Sequence, residues 1–562
     1  MDTSRLLIAV LLSLGLIFAY QELVLKRMYP PPSSEQMENA RLAQQNASPG
    51  TIPSAAAPSI GAIAASSAPS IVSAGALAPA TPAAPERIVT IDTDLFVAQI
   101  TTRGARIKSF RLKRYHETSA PDSALFEMVP QSGEFILPLG AILNRGDQLL
   151  NDSALEYSTA ASDNTEVAAD SETKLVLDAH AADGTTIEKT LDFHGDSYAF
   201  TTDLAVTGGP KNDAIGFAIS QPLNPHLGYY DIPELQADVQ DKAMNEAEKA
   251  LRKGVEPITG NITYAGFGDR YFLTAYLPAS PSVGTLMMSF VGDQALARML
   301  FPGTSELKAR VYMGPKLLEA LEGVDQALHK SIDFGWAGLL AIIFLRALKM
   351  FHVFVPNYGW DIIFVTVTIR IMLLPISIRS QRSMMRMQRL QPQITRLREK
   401  FKDDQERQQR EMMDLYKRNH VNPIGGCLPM VLQLPMFIGL YEALLNSVEL
   451  RHAPFILWIR DLSAPDCLPV SWMPQLPLMH CHGIPVLVLL MGASTFLQQW
   501  MTPTSPDPNQ QRMMMLTPII FTIMFVNFPA GLSLYYFASN VLGVIQQVFL
   551  NREFKNSPVT TA

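Results

Sequence analysis

Long apolar runs separated by polar segments organise this chain. Residues 6–25 are about as long as a bilayer-crossing helix, and no small-x-small cleavage site follows them, which favours an uncleaved anchor over a signal peptide. Five comparable runs lie near the C-terminus. They cover residues 358–378, 425–445, 484–501, 513–528 and 532–550. The pattern predicts a multi-domain, polytopic α-helical membrane protein with six spans, the anchor being residues 1–28.

The long polar segment between these runs predicts a domain outside the membrane. Residues 29–86 are rich in Pro, Ala and Ser and read as a linker that cannot bury a core. Residues 87–320 show short β-branched runs between turn residues, including a hairpin turn at Asp183-Gly184. We therefore expect a large, mostly antiparallel β-sandwich there, with residues 238–253 as a charged helical insertion.

Residues 321–356 connect that domain to the apolar core. Their apolar and aromatic stretch is interrupted by Arg346, Lys349 and His352. This pattern favours an amphipathic helix lying in the membrane interface. A spanning helix is the alternative.

The remaining residues, 357–551, form the five-span core, followed by a short tail at 552–562. Between the first two core spans, residues 379–418 contain 12 Lys/Arg against 6 Asp/Glu. Positive residues near span ends stay in the cytoplasm, so this segment and the N-terminus should be cytoplasmic and the β domain exported. Residues 380–420 are rich in helix formers and predict a cytoplasmic helical hairpin. The net charge of −7 conceals these opposed regions.

Arg370 lies in the middle of the first core span. A charge at that depth costs at least about 2.5–3.5 kcal/mol on insertion scales, so it should face protein or water. It could instead reach the cytoplasmic interface, since Arg379 lies nine residues on. It could also belong to an ion pair, although the nearest acidic candidate, Glu442, lies toward the far end of its span. We favour a functional polar cavity.

Polar residues in the other spans support a cavity. Each by itself could simply join helices, but together with an unpaired arginine they predict a wetted groove. The candidates on the first and last spans are Thr366, Arg370, Ser533, Tyr536, Asn540 and Gln547, and those on the middle spans are Gln433, Ser494, Gln498, Thr517 and Thr522.

The hairpin carries a set of methionines on both of its predicted helices. They fit equally well as the core of the hairpin or as an adaptable docking surface for apolar segments. Its basic residues could contact ribosomal RNA or anionic lipid. The methionines are Met384, Met385, Met387, Met412 and Met413.

Signatures of catalysis and of cofactor binding are missing from the sequence. It contains no phosphate-binding Gly-rich loop ending in Lys-Ser/Thr, no His-Glu-x-x-His and no Gly-x-Ser-x-Gly. Cys467, His480, Cys481 and His482 share one exported loop, but their irregular spacing argues against a metal site. A disulfide between Cys467 and Cys481 is the better hypothesis in an oxidising compartment. We predict no enzyme activity, metal or cofactor.

Several motifs in the C-terminal half resemble those of the YidC/Oxa family of membrane protein insertases. They occur in order along the chain, and the anchor, linker and exported domain are similar to the Gram-negative form. The motifs are Asn422-Pro-Ile-Gly-Gly-Cys-Leu-Pro429, Gln433-Leu-Pro-Met-Phe437, Ala453-Pro-Phe-Ile-Leu-Trp-Ile-Arg-Asp-Leu-Ser463, Phe528-Pro-Ala-Gly-Leu532, Tyr535-Tyr536 and Ser539-Asn540.

The resemblance implies an inner-membrane insertase and chaperone for newly made membrane proteins, acting alone or beside the Sec translocon. It implies a five-helix groove, open to cytoplasm and lipid, in which Arg370, Thr366 and Tyr536 match the family's groove residues. Two departures stand out: the loop at 467–483 is longer than usual, and the tail lacks a lysine-rich run. The hairpin is therefore the better candidate than the tail for contact with the ribosome.

Two other classes of function compete with this interpretation. A secondary transporter could use Arg370 as an anion site, but we find neither inverted repeats nor paired broken helices in the sequence. A membrane-anchored carbohydrate-active sandwich would need paired carboxylates, and it would leave five polar-lined spans unexplained.

Overall fold

The computed structural model describes residues 75–80, 85–120, 122–131, 136–222, 234–246, 256–291, 294–402, 404–419, 428–470, 483–501 and 508–556. The predicted anchor and most of the predicted linker lie outside them. Residues 71–503 and 517–562 belong to one compact unit, and the beginning of the helix at 508–525 belongs to another. The contacts below are all within the first unit.

The exported segment folds into strands whose residues alternate between buried and exposed positions. In the strand Thr185–His194, Ile187, Leu191 and Phe193 are buried. That period of two arises because successive side chains point to opposite faces of a strand. The strands are β1 Gly75–Ala76, β2 Ile88–Thr93, β3 Phe96–Thr101, β4 Arg106–His116, β5 Leu125–Glu127, β6 Gly140–Arg145, β7 Gln148–Asn151, β8 Asn164–Val167, β9 Glu172–His180, β10 Thr185–His194, β11 Ala199–Gly208, β12 Ala214–Pro222, β13 Glu234–Val239, β14 Lys242–Glu246, β15 Ile258–Gly268, β16 Phe272–Ser280, β17 Val283–Val291, β18 Gln294–Pro302 and β19 Glu306–Pro315.

Two sheets contain these strands. The larger runs β1-β7-β6-β12-β18-β17-β15-β16-β19-β11-β10-β9, with β13 and β14 attached through β15, and the smaller runs β5-β4-β3-β2-β8. Pairing is antiparallel except for β1 with β7 and β2 with β8. Phe96 of the small sheet lies 6.3 Å from Phe193 of the large one, measured between ring centroids. The predicted antiparallel β domain and its hairpin turn, where Gly184 has φ +84, are confirmed.

Two features of this domain differ from the expectation, an internal segment and the N-terminal boundary. The predicted helical insertion at 238–253 is wrong where it is described, because β13 and β14 pair there as a hairpin. The folded domain also begins before Arg87, since β1 pairs with β7 and Leu77 is buried in the core. Cross-strand pairing and burial overrode the charged composition in one case and the linker-like composition in the other.

After β19 the chain becomes helical. The predicted interfacial segment is divided, because short 3-10 turns at Gln326–Ser331 and Gly335–Ala337 separate its two α-helices. The helices are α1 Leu318–Val324, α2 Gly338–His352, α3 Tyr358–Arg389, α4 Gln391–Lys400, α5 Gln405–Arg418, α6 Leu428–Leu445, α7 Val486–Met501, α8 Pro508–Phe525 and α9 Ala530–Asn556. The loop before α7 adds two short paired strands, β20 Leu468–Pro469 and β21 Gly483–Ile484.

The five predicted core spans correspond to α3 and α6 to α9. By length and hydropathy, two described segments qualify to cross a membrane, Gly335–His352 and Tyr358–Arg389, whereas the apolar parts of α6, α7 and α8 are shorter. The number of six spans and the interfacial position of α2 therefore stay predictions.

The first core helix is longer than its apolar run. It continues without a break through Pro375 to Arg389, so the first part of the predicted hairpin helix is an extension of α3. At 32 residues it is about 48 Å long and exceeds a hydrocarbon core of about 30 Å. The hairpin itself then consists of α4 and α5.

The exported domain contacts the helical core through an arginine. Arg451, in the loop after α6, donates hydrogen bonds to the carbonyl oxygens of His116, at 2.6 Å, and of Glu117, at 3.2 Å. Its guanidinium also lies over the rings of Phe126 and Phe272, 5.0 and 5.3 Å from their centroids. A planar cation that stacks and donates at once suits this junction.

A second junction joins α1, α2 and the same loop. Lys349 of α2 forms ion pairs with Glu319 of α1 and with Glu449 of the loop, the latter at 2.7 Å. Lys349, one of the charged residues that interrupt the apolar pattern of α2, therefore joins this helix to α1 and to the loop.

Candidate functional site

A polar cavity lies between α3, α6 and α9. It holds about 480 Å³ of space free of protein atoms, including the open space at its mouth. Its walls combine apolar residues with hydroxyl, amide and guanidinium groups. The lining residues are Thr366, Ile369, Arg370, Leu373, Ile376, Ser377, Gln433, Tyr535, Ser539 and Gln546.

Arg370 supplies the charge of this cavity. Its Nε donates to Ser539 Oγ at 3.0 Å, and its Nη2 donates to the same Oγ and to the Ser539 carbonyl oxygen, both at 2.8 Å. Among the described residues, no carboxylate lies within ion-pair distance of this guanidinium. The side chain is only partly buried. Of the three interpretations of Arg370, the structure therefore supports the polar cavity over an ion pair.

The helices α3 and α9 contact each other in a constant register. Arg370 bonds Ser539, and seven residues later Gln546 Nε2 donates to Ser377 Oγ at 3.0 Å. Because seven residues are close to two helical turns, the same faces meet again. Both residue numbers increase together, so the two helices run parallel.

The predicted groove residues Thr366 and Gln433 line the cavity. The hydroxyl of Thr366 donates to the Ile362 carbonyl oxygen in its own helix at 2.6 Å, so its methyl and hydroxyl are already oriented. Gln433 of α6 and Tyr535 of α9 both line the cavity. Together they make the wall opposite α3.

Tyr536, predicted to line the groove, lies instead in a cluster of aromatic rings. Its ring centroid is 5.0 Å from that of Phe525 and 5.1 Å from that of Phe437, both in edge-on geometry. Phe521 and Phe528 extend the cluster around Phe525. The structure thus brings Tyr536 next to the cavity-lining Tyr535 but not into the lining itself.

Asn540, another polar residue predicted on α9, contacts α7. Asn540 Nδ2 donates to Thr495 Oγ1 at 2.7 Å and to Ser494 Oγ at 3.2 Å. This is the helix-joining role considered for small polar residues. Ser533 is buried, and its hydroxyl has no hydrogen-bond partner among the described residues.

Gln498 and Gln547 also lie outside the cavity lining. Gln498 of α7 packs against Gly543, where a Cβ atom would lie 2.4 Å from its Nε2 and 3.4 Å from Arg370 Nη2. Gln547 Nε2 donates to Asn551 one turn further along α9. A glycine at 543 therefore lets Gln498 approach the neighbourhood of Arg370.

The sequence pattern missed Ser377 on α3 and the three polar cavity residues on α9, Tyr535, Ser539 and Gln546. The three on α9 share one face. They form their own helical stripe, one residue away from the stripe through Tyr536, Asn540 and Gln547. One residue is about 100° of helix rotation, so the polar pattern alone could not decide which face meets α3. Ser539 belongs to a motif shared with the family, but the sequence did not indicate that it contacts Arg370.

The hairpin methionines divide between core and surface. Met387 and Met412 pack around Leu390 and Ile394, which supports the hairpin-core interpretation for that pair. Met385 is buried, Met384 is half-buried and Met413 is exposed to 47%. The docking role of the set stays a prediction.

Of the two cysteines predicted to pair, Cys467 is disulfide-bonded. Cys481 lies outside the described residues, so their pairing with each other stays a prediction. The same holds for the absence of a metal site, because His480 and His482 also lie outside them.

Family models match most of the chain in two adjoining parts. Residues 88–346 match the YidC periplasmic domain, and residues 350–557 match the family described as 60Kd inner membrane protein. The boundary between the matches falls near the end of α2.

Curated relatives match nearly the whole length. The membrane protein insertase YidC of Geotalea daltonii is 34% identical over 561 residues, covering 98% of this chain and 99% of the relative. That of Geobacter sulfurreducens is 35% identical over 484 residues, covering 83% and 86%.

Solved structures are more distant. A crystal structure of an active YidC insertase with its first transmembrane domain resolved shares 17% identity, covers 84% of this chain and 94% of that chain, and has a TM-score of 0.35. A galactose mutarotase-like protein from Lactobacillus casei covers 41% of this chain at 12% identity and a TM-score of 0.26, too low to bear on carbohydrate chemistry.

The similarity to the curated relatives extends through both the β domain and the helical core. The fold described above, a periplasmic β domain joined to membrane helices, agrees with this similarity. The expectation of an insertase without enzyme activity is confirmed by these relatives, and the transporter alternative is not favoured. The chain belongs to the YidC family of membrane protein insertases.

Proposed function

We propose that this protein inserts the hydrophobic segments of newly made inner-membrane proteins into the bilayer and helps them fold, alone or beside the Sec translocon. The observation that carries this proposal is the cavity around Arg370, which places a cation and several uncharged polar groups between apolar helices. Such a site can receive a hydrophilic segment for which lipid offers no hydrogen-bond partners.

Insertion of the substrate involves no covalent change. A hydrated cavity shortens the dehydrated path that a polar tail must cross, and Arg370 attracts acidic tails. Burial of the substrate's apolar helix in lipid then supplies the driving force, so no nucleotide is required. Of the hairpin methionines, the exposed Met413 and the half-buried Met384 are proposed to contact arriving apolar segments.

The proposed topology has six spans in the inner membrane, with the N-terminus and the hairpin in the cytoplasm and the β domain in the periplasm. The excess of basic residues at 379–418 supports this orientation. Contact with a ribosome is proposed through the hairpin, because its basic residues could bind the phosphates of ribosomal RNA.

Reconstitution tests the proposal directly. Purified protein in liposomes should insert a small single-span or double-span substrate without ATP, and empty liposomes that insert it equally well would contradict the insertase function. Arg370→Ala should reduce insertion about tenfold or more, because a charge-assisted hydrogen bond is worth about 1.5–3 kcal/mol. Arg370→Lys should retain activity on some substrates if charge matters more than the planar fork.

A matched control removes a positive charge outside the cavity. Arg386 lies on the same helix and is exposed, so Arg386→Ala should insert the substrate at the wild-type rate. Equal activity of Arg370→Ala and Arg386→Ala would mean that Arg370 only reaches toward the membrane surface.

A further inference from the structure

Ser539 accepts every side-chain hydrogen bond that Arg370 makes to the described residues. We propose that Ser539 is a positioning residue that fixes the Arg370 guanidinium in the cavity without neutralising it. The inference rests on the proposed insertase function, in which Arg370 attracts acidic tails, and adds to it the residue that orients this cation.

The geometry restrains one edge of the guanidinium. Nε and Nη2 share that edge, and both donate to Ser539 Oγ, at 3.0 and 2.8 Å. Two bonds to one acceptor hold the planar group in a single orientation, and the carbonyl of Ser539 adds a third bond to Nη2. Nη1, on the far side, has no hydrogen-bond partner within the described part of the chain and keeps its donors for a ligand.

Ser539 can act in this way because its own position is fixed. Its side chain is 2% exposed. On one side along the helices, a Cβ atom at Gly531 would lie 3.2 Å from Ile362 Cδ1, and on the other side Gln546 bonds Ser377. The three contacts share one register between α3 and α9. The hydroxyl therefore stands on a rigid helix pair, as a preorganised site requires.

The neutrality of serine matters for selectivity. A carboxylate at this place would pair with Arg370 and cancel its field, whereas a hydroxyl orients the cation and leaves its charge intact. In a cavity partly shielded from water, that charge acts more strongly on an acidic segment than it would in bulk solvent. A neutral segment gains little from it.

The test compares two substrates that differ only in tail charge, one with acidic residues in the translocated segment and one with their amides. Proteoliposomes of wild type, Ser539→Ala and Thr368→Ala are assayed for the insertion rate of each. Thr368 is the matched control, because it is exposed on α3 and its hydroxyl bonds the Phe364 carbonyl of its own helix.

We expect Ser539→Ala to lower insertion of the acidic substrate about tenfold and that of the amide substrate less than about twofold. Thr368→Ala should match wild type on both. Equal losses on both substrates would indicate that Ser539 only packs α3 against α9, and unchanged rates would indicate that it has no role; either result overturns the proposal.

A second variant covers the case in which the alanine protein does not fold. Ser539→Cys keeps the size of the side chain but replaces a strong acceptor by a weak one, so its preference for the acidic substrate should lie between wild type and alanine. A folded cysteine variant with wild-type preference would overturn the proposal. Failure of the wild type to insert either substrate would instead contradict the insertase function itself.

Discussion

Asp152→Asn should destabilise the exported domain through a buried charge cluster. Asp152 accepts hydrogen bonds from Arg106 Nη2 at 2.9 Å and from the Tyr157 hydroxyl at 2.9 Å, and its Oδ2 lies 2.5 Å from Lys189 Nζ. The side chains of Asp152 and Lys189 are both fully buried. Lys189 occupies an inward position of β10 that alternation would reserve for an apolar residue.

The loss in the free energy of unfolding depends on how Lys189 and Arg106 each respond to removal of the Asp152 carboxylate. Burial lowers the pKa of Lys189 to about 8, so release of its proton at pH 7 costs roughly 1 kcal/mol, and this cost caps the contribution of Lys189 to the loss. Arg106 cannot release a proton, and losing its charge-assisted bond costs about 1.5–3 kcal/mol. The total is about 3–4 kcal/mol, within the range for breaking a buried pair by removing one partner.

Hydrogen exchange of the full-length protein measures this loss as the opening free energy of peptides from β10 and β11. The control is Asp163→Asn, which removes an exposed ion pair with Arg87 and should cost less than about 1 kcal/mol. If Asp152→Asn costs no more than the control, the cluster is not the paired, dry site described above, and the reasoning fails.

Three further predictions concern stability and coupling. Between pH 8 and about 9.5, Lys189 holds a proton in the unfolded chain more often than in the folded chain, so the free energy of unfolding should rise with pH. Resistance to proteolysis in urea measures this rise, and Lys189→Met should abolish it. Arg451→Lys should increase exchange at the end of β4, because lysine loses the two-ring stacking, whereas Arg460→Lys at an exposed loop position should not. Asp466→Asn should speed exchange at the start of α7 by about fivefold to thirtyfold, since Asp466 Oδ2 accepts from the Leu487 amide at 2.5 Å; unchanged exchange there would contradict its capping role.

The architecture could be predicted from the chain because it depends on local patterns. Apolar run lengths located the core helices, alternation with turn residues located the strands, and the basic segment oriented the proposed topology. The cost of a mid-span charge singled out Arg370 before any contact was known.

The partners of these residues were decided only by tertiary structure. Which face of α9 meets α3 depends on a rotation of one residue, and this rotation places Ser539 in the cavity and turns Asn540 toward α7. The charged composition at 238–246 did not prevent a hairpin, because long-range pairing with β15 outweighed local propensity. Period and composition act along the chain, whereas a hydrogen bond between residues 169 positions apart exists only after the helices have packed. The sequence by itself thus determined where the charge lies, and the packing of α3 against α9 determined what orients it.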